Sequence, residues 1–248
     1  MPDLSWLTAR PIAHRGLHDL NRTRWENTLA AFSAAIEHGY AIECDVHLSA
    51  DGVPMVFHDA ELERLTGTKG RVREQSASEL GSLKIGRTNE RIPTLEAMLE
   101  LVQSRVPIVI ELKGSPGTDE HLVVEVIRRL SRYDGPVALM SFEHPLLLDL
   151  QRHAGSVPYG LTAEGTGPEK IEQHVSMLSH GISFVSYSVA DLPNAFVTHV
   201  RRARSMPVIT WTVRDEAAVR KSLEHADQMT FEGFMPPLDV KAGAPNEQ

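Results

Sequence analysis

The alternation of short apolar runs with amphipathic helical patterns constrains the fold of this chain more than any other feature of its sequence. Each run is short and mainly apolar, as expected for a buried strand. The runs are residues 11–14, 41–46, 53–57, 106–112, 137–141, 157–161, 182–186, 207–211 and 228–230. Between them, segments such as 28–38, 94–102 and 122–130 place apolar residues on one helical face. Strands that alternate with helices predict a parallel sheet with helical crossovers.

The number of strand–helix units favours a closed TIM-type (β/α)8 barrel over an open doubly wound sheet. There is one run more than such a barrel needs, so residues 53–57 are interpreted either as a barrel strand or as a hairpin partner of the second strand. Residues 60–93 are polar and rich in glycine, and the capping-box spacing from Ser76 to Glu79 predicts a short helix there. We therefore expect one barrel domain over residues 1–235 with a rim insertion at about 60–93, and a loosely ordered tail at 236–248.

Composition restricts the partners of the protein. The formal net charge is -8, so the chain lacks the excess of positive charge that is typical of nucleic-acid-binding proteins. We therefore expect no nucleic-acid partner. No apolar stretch approaches the roughly 20 residues of a membrane span, and no secretory signal is expected at the N-terminus. Cys44 is the single cysteine, which favours a cytoplasmic location. We expect a small-molecule substrate and no membrane anchor, and homo-oligomerisation is left open.

Charged residues stand inside or at the ends of strands that are otherwise apolar. Alternation along a strand puts Glu43 and Asp45 on one face, and likewise Glu111 and Lys113. A buried charge is costly unless it is paired or bound to a metal. Three carboxylates that converge from two strands suit a hard divalent cation with oxygen ligands. The alternative is a buried ion-pair network in which Lys113 and Arg15 neutralise the carboxylates.

Two histidines, His14 and His58, differ from the others because each closes an apolar run. Cleavage of a phosphodiester needs a base to activate the attacking oxygen and an acid to protonate the leaving alkoxide, and histidine titrates in the useful range. The histidines in helical or loop patterns, interpreted as solvated, are His121, His153, His174, His180, His199 and His225. The intermediate cases are His18, His47 and His144.

Other side chains at strand ends are candidates for substrate contacts. Arg15 could hold a phosphate with its planar fork, and Lys113 could do so as a point charge. Phe142 and Trp211 follow the fifth and eighth runs and could form an apolar wall for the alcohol part of a substrate. For either aromatic residue alone, packing in the core is the more common role.

In their order along the chain, these motifs resemble the glycerophosphodiester phosphodiesterase family. The matching segments are His14-Arg15-Gly16, Glu26-Asn27-Thr28, Glu43-x-Asp45-Val46, Asp51-Gly52, Val56-x-His58-Asp59, Pro93-Thr94-Leu95, Glu111-x-Lys113, Ser141-Phe142 and Trp211-Thr212-Val213. Each segment alone is a weak signal, but the ordered series is specific. The resemblance implies a β/α-barrel that hydrolyses glycerophosphodiesters to glycerol 3-phosphate and an alcohol.

The resemblance also implies roles for individual residues. Glu43, Asp45 and Glu111 would hold one divalent metal ion, Mg²⁺ or Ca²⁺, with Mn²⁺ also accepted. His14 and His58 would be the acid/base pair. In the family, a hydroxyl of the substrate glycerol is thought to attack the phosphorus, and water then opens the resulting cyclic phosphate.

Further roles and two departures complete the comparison with the family pattern. Arg15 and Lys113 would contact the phosphate, and Glu26 would belong to the edge of the same site. Trp25 stands where the family usually has proline. The family often ends its last strand with Thr-Asp and a proline, whereas residues 230–236 here contain two phenylalanines and no aspartate.

The altered segment leaves other functions open. A barrel with the same fold and metal could act on a lysophospholipid or a sugar phosphodiester. A barrel that binds phosphodiesters without turnover is a further alternative, although it would gain nothing from two titrating histidines. A metal-dependent amidohydrolase fits less well, because the first strand lacks the His-x-His pair of metal ligands that this group uses.

Overall fold

A computed structural model describes residues 3–114 and 121–240 of the chain. The strands are β1 (Ile12–Ala13), β2 (Ala41–Leu48), β3 (Pro54–Val56), β4 (Ile108–Leu112), β5 (Val137–Ser141), β6 (Tyr159–Ala163), β7 (Phe184–Ser188), β8 (Val208–Val213) and β9 (Gln228–Phe231). The helices are α1 (Leu29–Glu37), α2 (Glu63–Thr66), α3 (Ala77–Ser82), α4 (Leu95–Val102), α5 (Leu122–Leu130), α6 (His144–His153), α7 (Pro168–Met177), α8 (Ala195–Arg204) and α9 (Glu216–His225). Short 3-10 helices cover Ser5–Leu7, Val72–Glu74 and Val189–Asp191.

The sheet closes on itself. In the part of the chain that the structure describes, eight parallel strands follow one another in the order β1-β9-β8-β7-β6-β5-β4-β2, and β1 pairs with β2 to complete the circle. β3 is antiparallel to β2, so residues 53–57 contain a hairpin partner and not a barrel strand. The prediction of a TIM-type (β/α)8 barrel is confirmed.

Several helices begin where a polar side chain satisfies a backbone N–H that the helix itself cannot. Thr28 accepts a hydrogen bond from the backbone of Ala31 at the start of α1, and Asp215 caps α9 in the same way. Ser76 and Glu79 form a complete capping box at α3, as their spacing predicts. These caps fix where each strand-to-helix loop ends, which orients the loops at the carboxyl edge of the barrel.

The barrel encloses an apolar floor beneath its carboxyl edge. The cluster on this floor consists of Leu4, Leu7, Ile12, Ala41, Val109, Ala138, Met140, Phe184 and Ile209. Ala41 and Val109 belong to the same strand faces as Glu43 and Glu111, so the floor lies directly below the acidic residues. A larger apolar cluster fills the layer between the outside of the sheet and the helices. The charged groups at the carboxyl edge are therefore walled from below by hydrocarbon.

Residues 60–93 carry α2 and α3 and share a separate apolar cluster with the β3 hairpin. This cluster contains Met55, Phe57, Leu62, Leu65, Val72, Leu80, Ile85 and Ile92. Trp25 packs against it from the loop before α1, and its ring lies over Gly86 so closely that a Cβ on Gly86 would come within 2.2 Å of it. The tryptophan that replaces the usual proline thus joins this segment to the β1–α1 loop.

One histidine interpretation is wrong. His174 is only 6% exposed, and its ring packs against Tyr187 and Phe196 beneath α7. Burial, together with the charges of His144 and Lys170, lowers the pKa of His174 to about 4. His174 is therefore a neutral core residue at neutral pH.

Two sequence expectations concern the surroundings of the barrel. Over residues 3–114 and 121–240, no helix combines the length and the apolar character needed to cross a bilayer. Of the expected tail, residues 241–248 lie outside the described residues.

Candidate active site

The turn after β1 brings His14 and Arg15 to the carboxyl edge of the barrel. Arg15 and Gly16 both adopt positive φ angles, of 54° and 79°. A Cβ at Gly16 would lie 2.9 Å from atoms of Ala31 and Phe32, so only glycine fits this approach to α1. The backbone N–H of Arg15 then donates to a carboxylate oxygen of β2, and the turn is tied to the acidic cluster.

Three carboxylates meet at this edge. The strand register places Asp45 directly beside Glu111, and Glu43 lies two residues earlier on the same face of β2. Ligand oxygens of the three residues lie within 4.8 Å of one another, and all three side chains are buried. Burial raises the pKa of Glu43 well above its usual value, and the charges of Asp45 and Glu111 raise it further. Burial raises the pKa of Glu111 to about 7, against the opposing charge of Lys113.

Two cations neutralise part of this cluster. The Lys113 Nζ lies 3.1 Å from Asp45 Oδ1 and also pairs with Glu111. The Arg15 Nε lies 3.3 Å from Asp45 Oδ2. Although burial alone would raise the pKa of Asp45, the charges of Lys113 and Arg15 hold it well below its usual value. The ion-pair network, which was the alternative to a metal site, is therefore present around Asp45 and Glu111.

Glu43 remains outside that network. Its Oε2 accepts a hydrogen bond of 2.8 Å from the backbone N–H of Arg15, and its Oε1 is buried with no hydrogen-bond partner. Among the described lysines and arginines, none forms an ion pair with Glu43. An unpaired, buried carboxylate oxygen beside two further carboxylates is what a hard divalent cation would satisfy. The residues present fit such an ion.

Both candidate acid/base histidines line up against carboxylates. His14 Nδ1 lies 2.6 Å from Glu232 Oε2, and its other ring nitrogen lies 4.0 Å from Glu43. His58 Nδ1 lies 2.7 Å from Asp59 Oδ1. Burial lowers the pKa of both histidines, and the neighbouring carboxylates act in the opposite direction. Each ring commits Nδ1 to a carboxylate and leaves Nε2 for proton transfer.

Glu26 supports the site from its edge. Its Oε1 accepts hydrogen bonds of 2.7 Å from both Arg15 and Arg64. Burial alone would raise the pKa of Glu26, but the hydrogen bond from Arg64 and the charge of Arg15 lower it to about 2. Arg64 also donates to Asp59, at 2.9 Å. Through Arg64, α2 connects the partner of His58 to the partner of Arg15.

These residues surround a cavity of about 150 Å³. Every predicted site residue except Glu26 lines it, and the other lining residues are Met140, Thr212, Arg214 and Thr230. Phe142 and Trp211 meet edge to face with ring centroids 5.2 Å apart, and the Lys113 ammonium lies 5.8 Å from the Phe142 centroid. A wider groove of about 610 Å³ lies between α4 and α5, but its Arg128 and Arg129 are paired with Glu125. The chemistry is concentrated in the smaller cavity.

Several polar residues that contact the site were not predicted from the sequence. They are Asn27, Asp59, Arg64, Arg214, Thr230 and Glu232. The neighbour of His58 in the chain, Asp59, could have been recognised from its position. Glu232 could not, because it is separated from His14 by 218 residues.

Residues 230–236 contact the site, but not through their two phenylalanines. Phe231 is 1% exposed and packs against Tyr40 and Phe234, with ring centroids 4.8 and 5.6 Å apart. Both phenylalanines belong to the core outside the sheet and neither lines the cavity. The residues of this segment that contact the site are Thr230, which lines the cavity, and Glu232, which pairs with His14. The phenylalanines themselves therefore give no reason to expect a lipid substrate.

A family model and individual relatives both match the chain, and they name the same family. A sequence model of the glycerophosphoryl diester phosphodiesterase family matches residues 14–232. A glycerophosphodiester phosphodiesterase of Caldanaerobacter subterraneus is 35% identical over 162 residues, which cover 60% of this chain and 65% of that protein. The putative glycerophosphodiester phosphodiesterase YhdW of Bacillus subtilis is 30% identical over 229 residues, which cover 85% of this chain and 88% of that protein.

Solved structures agree with the sequence matches. An Oleispira antarctica phosphodiesterase, solved in complex with the product sn-glycerol-3-phosphate, superposes with a TM-score of 0.79 at 25% identity, over 90% of this chain and 92% of that chain. A glycerophosphodiester phosphodiesterase of Thermotoga maritima gives a TM-score of 0.73 at 28% identity, over 89% of this chain and 92% of that chain.

Proposed function

The chain belongs to the glycerophosphoryl diester phosphodiesterase family, and from that premise we propose that it hydrolyses glycerophosphodiesters to glycerol 3-phosphate and an alcohol with the help of a divalent metal ion. The observation that carries the proposal is the buried carboxylate trio with its unpaired Glu43 oxygen, flanked by His14 and His58 in one cavity. The Oleispira antarctica relative was solved with the product sn-glycerol-3-phosphate, which supports the proposed product.

Glu43, Asp45 and Glu111 are the residues that would hold the metal ion. Carboxylate oxygens select hard cations, so Mg²⁺ or Ca²⁺ is the proposed ion, with Mn²⁺ as a substitute. When bound, such an ion polarises a phosphoryl oxygen and offsets the negative charge that develops there. Lys113 keeps Asp45 ionised, which preserves one strong ligand whatever the state of its neighbours.

The two histidines move the protons. A hydroxyl of the substrate glycerol loses its proton to one imidazole as its oxygen bonds to phosphorus, and the bond from phosphorus to the leaving alkoxide breaks. The other histidine, in its protonated form, gives its proton to that alkoxide. Water then opens the cyclic phosphate while the two histidines exchange roles, which returns both to their starting states.

Arg15 and Lys113 are proposed to orient the phosphate, since both line the cavity and both are fixed by carboxylates. Glu26 does not line the cavity, so its proposed part is to hold the guanidinium of Arg15 in place. Phe142 and Trp211 supply an apolar wall at the same cavity, where the carbon skeleton of the glycerol or of the alcohol can lie.

The test is a substrate panel assayed with purified protein in Mg²⁺. Glycerol 3-phosphate should appear from glycerophosphocholine, and His14→Ala and His58→Ala should each lower kcat by at least about 100-fold, the usual contribution of a general acid or base. The matched control is His199→Ala, because His199 is exposed on α8 and remote from the cavity.

Full activity in either site variant would refute the roles of the histidines. A clear preference for a lysophospholipid or a sugar phosphodiester would replace the proposed substrate but retain the chemistry. Tight binding of glycerophosphocholine without product over hours would instead identify a binding protein.

A further inference from the structure

Glu232, which immediately follows β9, forms hydrogen bonds with two residues that line the cavity, His14 and Arg214. Its Oε2 lies 2.6 Å from His14 Nδ1, and its Oε1 accepts a hydrogen bond of 2.7 Å from the Arg214 guanidinium. His18 Nε2 lies 3.6 Å from the same Oε2. The Glu232 side chain is 11% exposed, so the carboxylate is held mainly by protein donors.

The tautomer of His18 is fixed by the backbone. The N–H of Leu20 donates to His18 Nδ1 at 3.2 Å, so this nitrogen carries no proton. In the neutral ring the proton must then be on Nε2, which is buried and has no hydrogen-bond partner. His18 is 8% exposed, and the nearest carboxylate to its Nε2 is that of Glu232. His18 therefore turns a buried N–H toward the Glu232 carboxylate.

The geometry points to Glu232 as a positioning residue that sets the tautomer and orientation of His14. A carboxylate that is already paired with Arg214 can only accept, so the proton of a neutral His14 must lie on Nδ1. The Nε2 lone pair of His14 is then directed toward the carboxylate cluster, where its distance from Glu43 Oε2 is 4.0 Å. This arrangement leaves His14 able to accept a proton at Nε2, a role that rests on the proposed function.

A metal ion bound by His14, His18 and Glu232 is the rival explanation, since their ligand atoms lie within 4.8 Å of one another. Coordination by His18 Nε2 would require its proton to move to Nδ1, where it would face the N–H of Leu20. The hydrogen bond to the backbone therefore disfavours a metal and favours an Nε2–H that faces the Glu232 carboxylate.

Kinetics of two variants measure the effect on catalysis. Glu232→Gln keeps the size of the side chain but can present an N–H to His14 Nδ1, which would favour the wrong tautomer. We expect kcat for glycerophosphocholine to fall by about 100-fold or more, with KM changed by less than about 2-fold. Glu232→Asp keeps the carboxylate and should retain at least about a tenth of kcat, and the exposed Glu172→Gln on α7 is the matched control.

Nitrogen NMR of the histidine rings measures the tautomer without any substrate. In the full-length wild type with Mg²⁺ at pH 8, His14 should show a protonated Nδ1, and Glu232→Gln should shift it toward a protonated Nε2. The His14 signal is identified by its loss in His14→Gln. A wild-type His14 that is protonated on Nε2, or Glu232→Gln with wild-type kcat, would overturn the positioning role. Binding of Zn²⁺ that is lost in His18→Gln would support the rival metal site and overturn it as well.

The two measurements separate the positioning role from the proposed function. If the wild type releases no product from any glycerophosphodiester while His14 is protonated on Nδ1, the hydrolase function fails and the positioning by Glu232 stands.

Discussion

Replacement of Glu43 by glutamine should show how much the acidic cluster destabilises the metal-free fold and how much it contributes to metal binding. The glutamine side chain would keep an oxygen to accept the hydrogen bond from Arg15 and would have nearly the same volume. It would remove the negative charge that Asp45 and Glu111 repel. The substitution therefore imitates the protonated form that burial favours in the metal-free protein.

The size of the effect without metal follows from linkage. A carboxyl whose folded-state pKa is raised contributes full stability below its unfolded pKa and loses it as pH rises toward the folded pKa. For Glu43 the loss begins near the ordinary value of 4.5. Each pH unit is equivalent to about 1.4 kcal/mol, so at pH 7 the loss is at most about 3.5 kcal/mol. In EDTA at pH 7, Glu43→Gln should be at least as stable as the wild type, with a gain of up to that amount that disappears near pH 4.5.

With bound metal, the wild type should become more stable than Glu43→Gln. An ion at 100 times its Kd stabilises the folded wild type by about 2.7 kcal/mol, which raises Tm by roughly 5–10 °C for a chain of this size. Glu43→Gln lacks one of the three ligands and should gain much less. The assay is thermal unfolding followed by circular dichroism in EDTA and in Mg²⁺, with the exposed Glu172→Gln as control.

Two results would refute the reasoning. One is a loss of more than about 1 kcal/mol in EDTA, since it would mean that the Glu43 charge stabilises the fold without metal. The other is an equal Mg²⁺-dependent shift in the wild type and Glu43→Gln, which would place the metal elsewhere.

Three further predictions concern the support of the barrel and of the site. Gly86→Ala should destabilise the fold by about 1–3 kcal/mol in chemical denaturation, because its Cβ would overlap the Trp25 ring. An unchanged denaturation midpoint would show that the ring moves freely. His174 has its pKa lowered to about 4 in the folded protein, so unfolded chains bind more protons between about pH 6.5 and 4. The free energy of unfolding should fall by up to about 3.5 kcal/mol across that window as pH decreases, and His174→Gln should lack this share of the slope. Arg64→Met should lower stability by about 1–3 kcal/mol, because it leaves Glu26 and Asp59 without their shared donor. Arg202→Met, at an exposed position on α8, is the control. A smaller loss of stability in Arg64→Met than in this control would contradict the prediction.

The acidic residues could be predicted from the sequence because strand geometry is periodic. Side chains two apart on a strand share a face, which was enough to bring Glu43 and Asp45 together and to place Glu111 near them. The hairpin made by β3 was one of two open interpretations, and only the pairing of Val46 with Val56 decides between them.

Contacts across the barrel could not be predicted in this way. Closure brings β9 beside β1, and this pairing places Glu232 next to His14. Nothing local in the sequence indicates that neighbourhood. His174 was misjudged for a related reason, because its burial depends on the packing of α7 against Tyr187 and Phe196. The cytoplasmic location and the loosely ordered tail stay predictions.

The most direct test of the central claim is a phosphorus NMR time course of glycerophosphocholine with the full-length protein. In Mg²⁺ the diester signal should be replaced by glycerol 3-phosphate, the conversion should stop in excess EDTA, and it should resume when Mg²⁺ is restored. Conversion at the same rate in EDTA, or no conversion of any glycerophosphodiester in Mg²⁺, Ca²⁺ or Mn²⁺, would contradict a metal-dependent phosphodiesterase built on Glu43, Asp45 and Glu111.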